Sequence, residues 1–119
     1  MHTIRDLVGA LAHRQGVDAV IVLGRDGILI DSETFEGGAV DTESIAALIP
    51  SVIAAADDVG ASAARGQLLT AILEYPLGIG MISVLTGEAI LLVLVHPGAN
   101  VGSLLFELRR YREQIAALV

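Results

Sequence analysis

The chain has 119 residues, 54% of them apolar, and a formal charge of −7. That length fits a single domain, residues 1–119, with a real core, and the acidic balance disfavours nucleic acid and anionic lipid, which need clustered positive charge. With no cysteine, disulfides and thiolate chemistry are excluded, and with two Phe, two Tyr and no Trp the core must be aliphatic. Apolar content this high leaves apolar surface over once one core is filled, and self-association is the simplest resolution. Ala89–Val95 is too short to span a bilayer, and Ser44–Ala56 is short and contains Pro50, so no membrane insertion is expected. MHTIRD lacks the basic start and apolar run of a signal peptide, which predicts a cytoplasmic protein. All seven basic residues are arginines, from which no function is read.

Thr3 with Asp6 resembles a capping box that opens an amphipathic helix over Ile4–Gln15, with Ile4, Leu7, Val8 and Leu11 as its apolar stripe. Gly16 stops it. Two short apolar runs, Ala19–Leu23 and Ile28–Ile30, flank Gly-Arg-Asp-Gly, and Asp26-Gly27 marks a hairpin because glycine accepts positive φ. Phe35–Val40 reads as a loop around Gly37-Gly38. Asp41 or Thr42 caps a second helix, roughly Glu43 to Ala64, with Ile45, Ile49, Val52, Ala56, Val59 and Ala63 on one face. The opposite face reads Ala47, Pro50, Ser51, Ala54, Asp58 and Ala61, and no charge occurs between Ser44 and Ala56. Small uncharged residues there let another helix approach closely, so the face is expected to be an interface. Pro50 predicts a kink, or a helix start nearer Ser51.

Gly66–Tyr75 alternates and reads as strand three, and Tyr75-Pro76-Leu77-Gly78 is a turn. Ile79–Thr86 is strand four and Ala89–Val95 strand five. The last is apolar without alternation, hence central and covered on both faces. Asn100 caps a final helix with Val101, Leu104, Leu105, Leu108, Ile115 and Leu118 buried. The predicted order is αββαβββα around a single sheet, a mixed α/β (α+β) fold.

Little in the chain resembles a catalytic site. His2, His13 and His96 are too scattered for a metal site, Ser32, Ser51, Ser83 and Ser103 have no adjacent base and no G-x-S-x-G occurs, and Gly78-Ile79-Gly80 precedes a strand rather than a helix. Asp57 and Asp58 diverge by about 100° on a helix, which favours a solvated pair over an acid/base pair. Arg25 and Arg65 sit near element ends, where an arginine can reach a phosphate, but solvated loop arginines are the simpler reading. No cofactor is expected.

The sequence resembles a family in its ordered motifs. These are Gly16 and Ala19 before strand one, Asp26-Gly27 in the hairpin, and Ile30-Asp31-Ser32 closing strand two. The alanine-rich second helix through Val59-Gly60, Leu91-Leu92-Val93-Leu94, and Asn100-Val101-Gly102 follow. In that order and spacing, over nearly the whole chain, it resembles the Roadblock family, the longin-like light-chain fold, and within it the bacterial MglB-like regulators of Ras-like GTPases. The resemblance implies a five-stranded antiparallel sheet with helix two on one face and helices one and three on the other. It also implies a homodimer through helix two and strand three, which on this sequence places Ala47, Ser51, Ala54, Asp58, Leu69, Ala71 and Leu73 at the interface. It implies a small Ras-like GTPase as partner, whose hydrolysis is stimulated without an inserted arginine, with Pro50, Asp57, Ala61 and Arg65 as candidates to face it. The chain is then a regulator and not itself an enzyme. A non-catalytic dimeric scaffold of a signalling or motility complex is the alternative. A small-molecule sensor is disfavoured by the scarcity of aromatics.

Overall fold

Successive residues of a strand point to opposite faces, and here both faces are apolar. Val20 and Val22 of β1 (Val17–Gly24) enter one core cluster while Ile21 and Leu23 enter another. The same split sends Leu91 and Val93 of β5 (Ala89–Val95) one way and Ile90 and Leu92 the other. A sheet with two greasy faces must be covered on both sides, and it is. The computed structural model describes residues 3–35 and 40–119. The expectations for His2 and for Gly37-Gly38 lie outside the described residues. The remaining strands are β2 (Leu29–Thr34), β3 (Thr70–Tyr75) and β4 (Gly78–Val84). The five form one antiparallel sheet in the order β2-β1-β5-β4-β3, so β5 is central as its unbroken apolar run requires, and β2 and β3 are the edges.

Helix α1 (Ile4–Ala12) packs Leu7, Val8 and Leu11 on one face, with Leu104 and Leu108 of α3 (Val101–Arg110) and Ile115 of α4 (Arg112–Ala116) beside them. Helix α2 (Thr42–Ser62) covers the other face alone. The expected layering holds, with one addition: the last helix breaks at Tyr111 into α3 and a short α4. The caps are as read. Thr3 Oγ1 accepts from the Asp6 amide, Asp41 Oδ1 from Ser44, and Asn100 Oδ1 from Ser103. The Ser44 hydroxyl, and then its amide, hold the Asp41 carboxyl below the usual carboxylate range.

The first hairpin closes through Arg25-Asp26-Gly27. The Gly27 amide donates to Gly24 O, Asp26 Oδ1 accepts from the Ile28 amide, and Gly27 sits at φ +86°. This is a type I turn followed by a left-handed residue, a three-residue connection in which glycine avoids the Cβ clash. β2 runs to Thr34, two residues past Ser32, where it was expected to close. Arg5 explains the extension: from α1 it binds Asp31 and Glu33 across the edge, at 2.9 Å each. Conversely, β3 begins at Thr70 and not at Gly66, because residues 64–68 are shaped by contacts described below.

Candidate interaction surface

Helix α2 is apolar almost all round, so its sequence does not fix which side faces the sheet. The buried stripe is Ala46, Ile49 and Ile53, with Ile45 and Val52 half-buried. This corrects the expected stripe through Val59 and Ala63, since Val59 is 68% exposed and Ala63 is also on the surface. Each buried isoleucine contributes about 1.5–3 kcal/mol to seating the helix. Pro50 does not break it: α2 is one helix from Thr42 to Ser62. Proline has no amide to give the Ala46 carbonyl. The first hairpin packs at that point instead: a Cβ on Gly27 would lie 3.3 Å from Pro50 Cγ and Ala47 Cα and 3.5 Å from Ala46 O. Pro50 is therefore half-buried against the β1–β2 turn, off the open face on which it was expected.

That open face carries Ala47, Ser51, Ala54, Asp58 and Ala61, all exposed, together with Leu48 at 68% exposure and Ala55. Sequence reasoning passed over Leu48 and assigned Val59 inward, so the face is more apolar than expected. By length and composition α2 would suffice to cross a membrane, yet it is anchored on the sheet through its buried stripe.

The end of α2 is tied to β3 by a small polar junction. Asp57 Oδ1 accepts from the Leu68 amide at 2.7 Å, and its Oδ2 pairs with Arg25 at 2.8 Å. Asp57 is thus not the solvated partner of Asp58 that adjacency suggested, and Arg25 is not a free loop arginine. The signal was not local: Arg25 lies 32 residues before Asp57. Beyond it the helix closes with paired bonds, Arg65 amide to Gly60 O at 2.8 Å and Ala64 amide to Ala61 O at 3.2 Å. These are the two bonds of a Schellman cap, and they require a left-handed residue. Here it is Ala64, at φ 55°, in place of the usual glycine. The chain then returns so close that a Cβ on Gly60 would stand 2.1 Å from Gly66 O.

β3 forms the open edge next to this junction. Ala71 and Leu73 are half-buried beneath the α2 side, whereas Leu69, Ile72 and Tyr75 are exposed. Between α2, residues 65–70 and α3–α4 lies an open groove of about 800 Å³, floored by Ala56, Val59, Leu68 and Leu69 and rimmed by Arg65, Arg109 and Arg112. Arg5, Arg14 and Arg25 are paired with carboxylates, Arg14 with Glu107. Among the described residues, Arg65, Arg109, Arg110 and Arg112 have no such partner. Three of these four, Arg65, Arg109 and Arg112, thus rim the same groove of an acidic protein.

The sequence profile of the Roadblock/LC7 domain matches residues 3–95. The chain belongs to the Roadblock/LC7 family. It is 31% identical over 104 residues to the uncharacterized protein MJ1340 of Methanocaldococcus jannaschii, covering 87% of this chain and 89% of that protein. Its fold is similar to that of an MglB in a tetrameric arrangement, with a TM-score of 0.86 at 13% identity over 96% of this chain and 85% of the other. Myxococcus xanthus MglB matches with a TM-score of 0.83 at 14% identity over 97% and 95% of the respective chains. As a Roadblock domain, the molecule offers a surface of backbone edge, small side chains and scattered large apolar groups. Such a surface suits another protein better than a small substrate. Of the residues expected to face a partner, Arg65 lines the groove and Ala61 is exposed, whereas Asp57 is half-buried at the junction with Leu68 and Pro50 is half-buried against the β1–β2 turn, away from the groove.

Proposed function

We propose that this Roadblock protein is a single-domain, cytoplasmic homodimer that binds a small Ras-like GTPase and gates its GTP hydrolysis without an arginine finger. The observation that carries the reading is an exposed outer face of α2 that is uncharged from Ser44 to Ala56, together with an open β3 edge bearing exposed Leu69, Ile72 and Tyr75. An unpaired apolar strand edge invites pairing with its own copy, and a twofold closes the hazard. In that dimer Ala47, Ser51, Ala54, Asp58, Leu69, Ala71 and Leu73 lie at the interface, and the paired α2 helices present Ala61 and Arg65 to the GTPase. A rigid platform raises hydrolysis simply by binding the competent arrangement of the switch loops more tightly than the other. The ion pair of Arg25 with Asp57 supports a finger-free mechanism, because that guanidinium is already engaged.

The test is single-turnover GTP hydrolysis by the cognate Ras-like GTPase with wild-type, Arg25→Ala and Arg65→Ala protein. Stimulation that survives both substitutions is expected. An inserted arginine is worth orders of magnitude, so collapse to the intrinsic rate with binding preserved refutes the mechanism. Tight binding with no stimulation by the wild type favours the scaffold reading.

A further inference from the structure

The β3 edge determines how two copies can meet along it. Leu69 O accepts from the Val84 amide at 2.9 Å, and the β3–β4 register continues from Thr70 opposite Ser83 to Tyr75 opposite Gly78. Odd-numbered β3 residues therefore bond inward to β4, and Thr70, Ile72 and Glu74 turn their amides and carbonyls outward. Two identical antiparallel strands that keep their faces matched must have the twofold axis pass through a residue.

Few such axes are compatible with the side chains. An axis at Glu74 sets Glu74 against Glu74 of the second copy, and like charges directly opposite are unfavourable. An axis at Leu73 sets Thr70 against Pro76 of the second copy, which has no amide to give, and leaves Glu74 against Ile72. An axis at Ala71 sends Glu74 past the end of the strand. An axis at Ile72 pairs Ile72 with itself and Thr70 with Glu74, using about six backbone hydrogen bonds. On the α2 side it sets Ala71 beside Leu73, small against large, and Leu69 beside Tyr75, which are 63% and 57% exposed in the single chain.

The charges agree with that register. Arg112 is held over Thr70, with Nη2 donating to Thr70 Oγ1 at 2.7 Å. Among the described residues its Nη1 has no partner and its Nε is buried without one. Glu74 is exposed on the same face as Thr70 and, among the described residues, has no cationic partner in its own chain. We infer that a second copy pairs along β3 with the twofold at Ile72, so that Arg112 of each chain meets Glu74 of the other. The inference rests on the homodimer proposed above and supplies its register and its ion pairs.

The chain has no cysteine, so one introduced thiol reports register directly. The wild-type assembly is read first, by light scattering across a dilution series; a monomer at micromolar concentration overturns the homodimer and this inference with it. Given a dimer, Ile72→Cys is expected to oxidise to a covalent dimer, because directly opposed residues about 5.5 Å apart are within disulfide reach. Leu73→Cys is expected to remain monomeric on denaturing gels. The reverse pattern, or no cross-link from either, overturns the register while the dimer stands. Arg112→Glu and Glu74→Arg should each weaken self-association about tenfold or more. Mixing the two variants should restore it, because both sites of the mixed dimer then pair opposite charges. Failure of the mixture to associate better than either variant alone overturns the ion pairs.

Discussion

Replacing Gly27 tests how the first hairpin and α2 support each other. At φ +86° any L residue meets a backbone penalty of about 1–2 kcal/mol. The new Cβ would also stand 3.3 Å from Ala47 Cα and Pro50 Cγ, closer than ordinary contact. Neither atom can retreat easily, since Ile49 and Ile53 fix the helix on the sheet. Gly27→Ala should therefore cost about 2–3 kcal/mol, and Gly27→Val, which forces two methyls into the same gap, about 1–3 kcal/mol more. Gly66→Ala separates the two causes, because Gly66 has a nearly identical φ of +85° but nothing within 4 Å of its would-be Cβ. It should show only the backbone penalty. Urea denaturation at matched protein concentrations measures all three, the matching being required because the proposed self-association would contribute to apparent stability. If Gly27→Ala costs no more than Gly66→Ala, the packing of the turn on Pro50 contributes nothing and the reasoning fails.

Ala64→Gly should stabilise the protein by about 0.5–1 kcal/mol, read as a raised denaturation midpoint, because it relieves a left-handed alanine at the α2 cap. Asp57→Ala should cost about 1–3 kcal/mol by stranding the Leu68 amide and Arg25, and Arg25→Ala distinctly less, since that side chain is about a third exposed; chemical denaturation ranks them. Acidification should remove the Asp41 contribution. Its carboxyl is depressed in the folded state, so the contribution is complete above the ordinary carboxylate range and is lost as pH falls through the lowered value. Thermal melts of wild type and Asp41→Asn should differ near neutrality and converge in strong acid. Ala54→Arg should place charge on the outer face of α2 and shift the monomer–dimer equilibrium toward monomer in light scattering.

The fold was legible where pattern and punctuation agreed. β5 announced its central place by an unbroken apolar run, the caps at Thr3, Asp41 and Asn100 are local, and Asp26-Gly27 fixed the first turn. What escaped reading is long-range or degenerate. A helix with apolar residues on every side has no polar face to set its phase, so the stripe of α2 was read too far toward Val59. The start of β3 depends on Asp57 capturing the Leu68 amide, and the length of β2 on Arg5 reaching Asp31 and Glu33; neither contact has a sequence signature. The candidate surface was visible as missing charge, but Arg112 over Thr70 required the structure.

The division of α2 gives the helix two thermodynamic characters. Its first three turns carry all its buried residues, whereas nothing after Ile53 is buried, and the last turns are held by Asp57 and the close pass of Gly60 under Gly66. Amide protons beyond Asp57 should therefore exchange with solvent through local opening far cheaper than global unfolding, while those at Ile49 and Ile53 report the whole domain. A partner that seats on the outer face would slow exchange in the last turns first. Binding at this surface would thus be recorded as ordering of a helix terminus, even where no atom of the core moves.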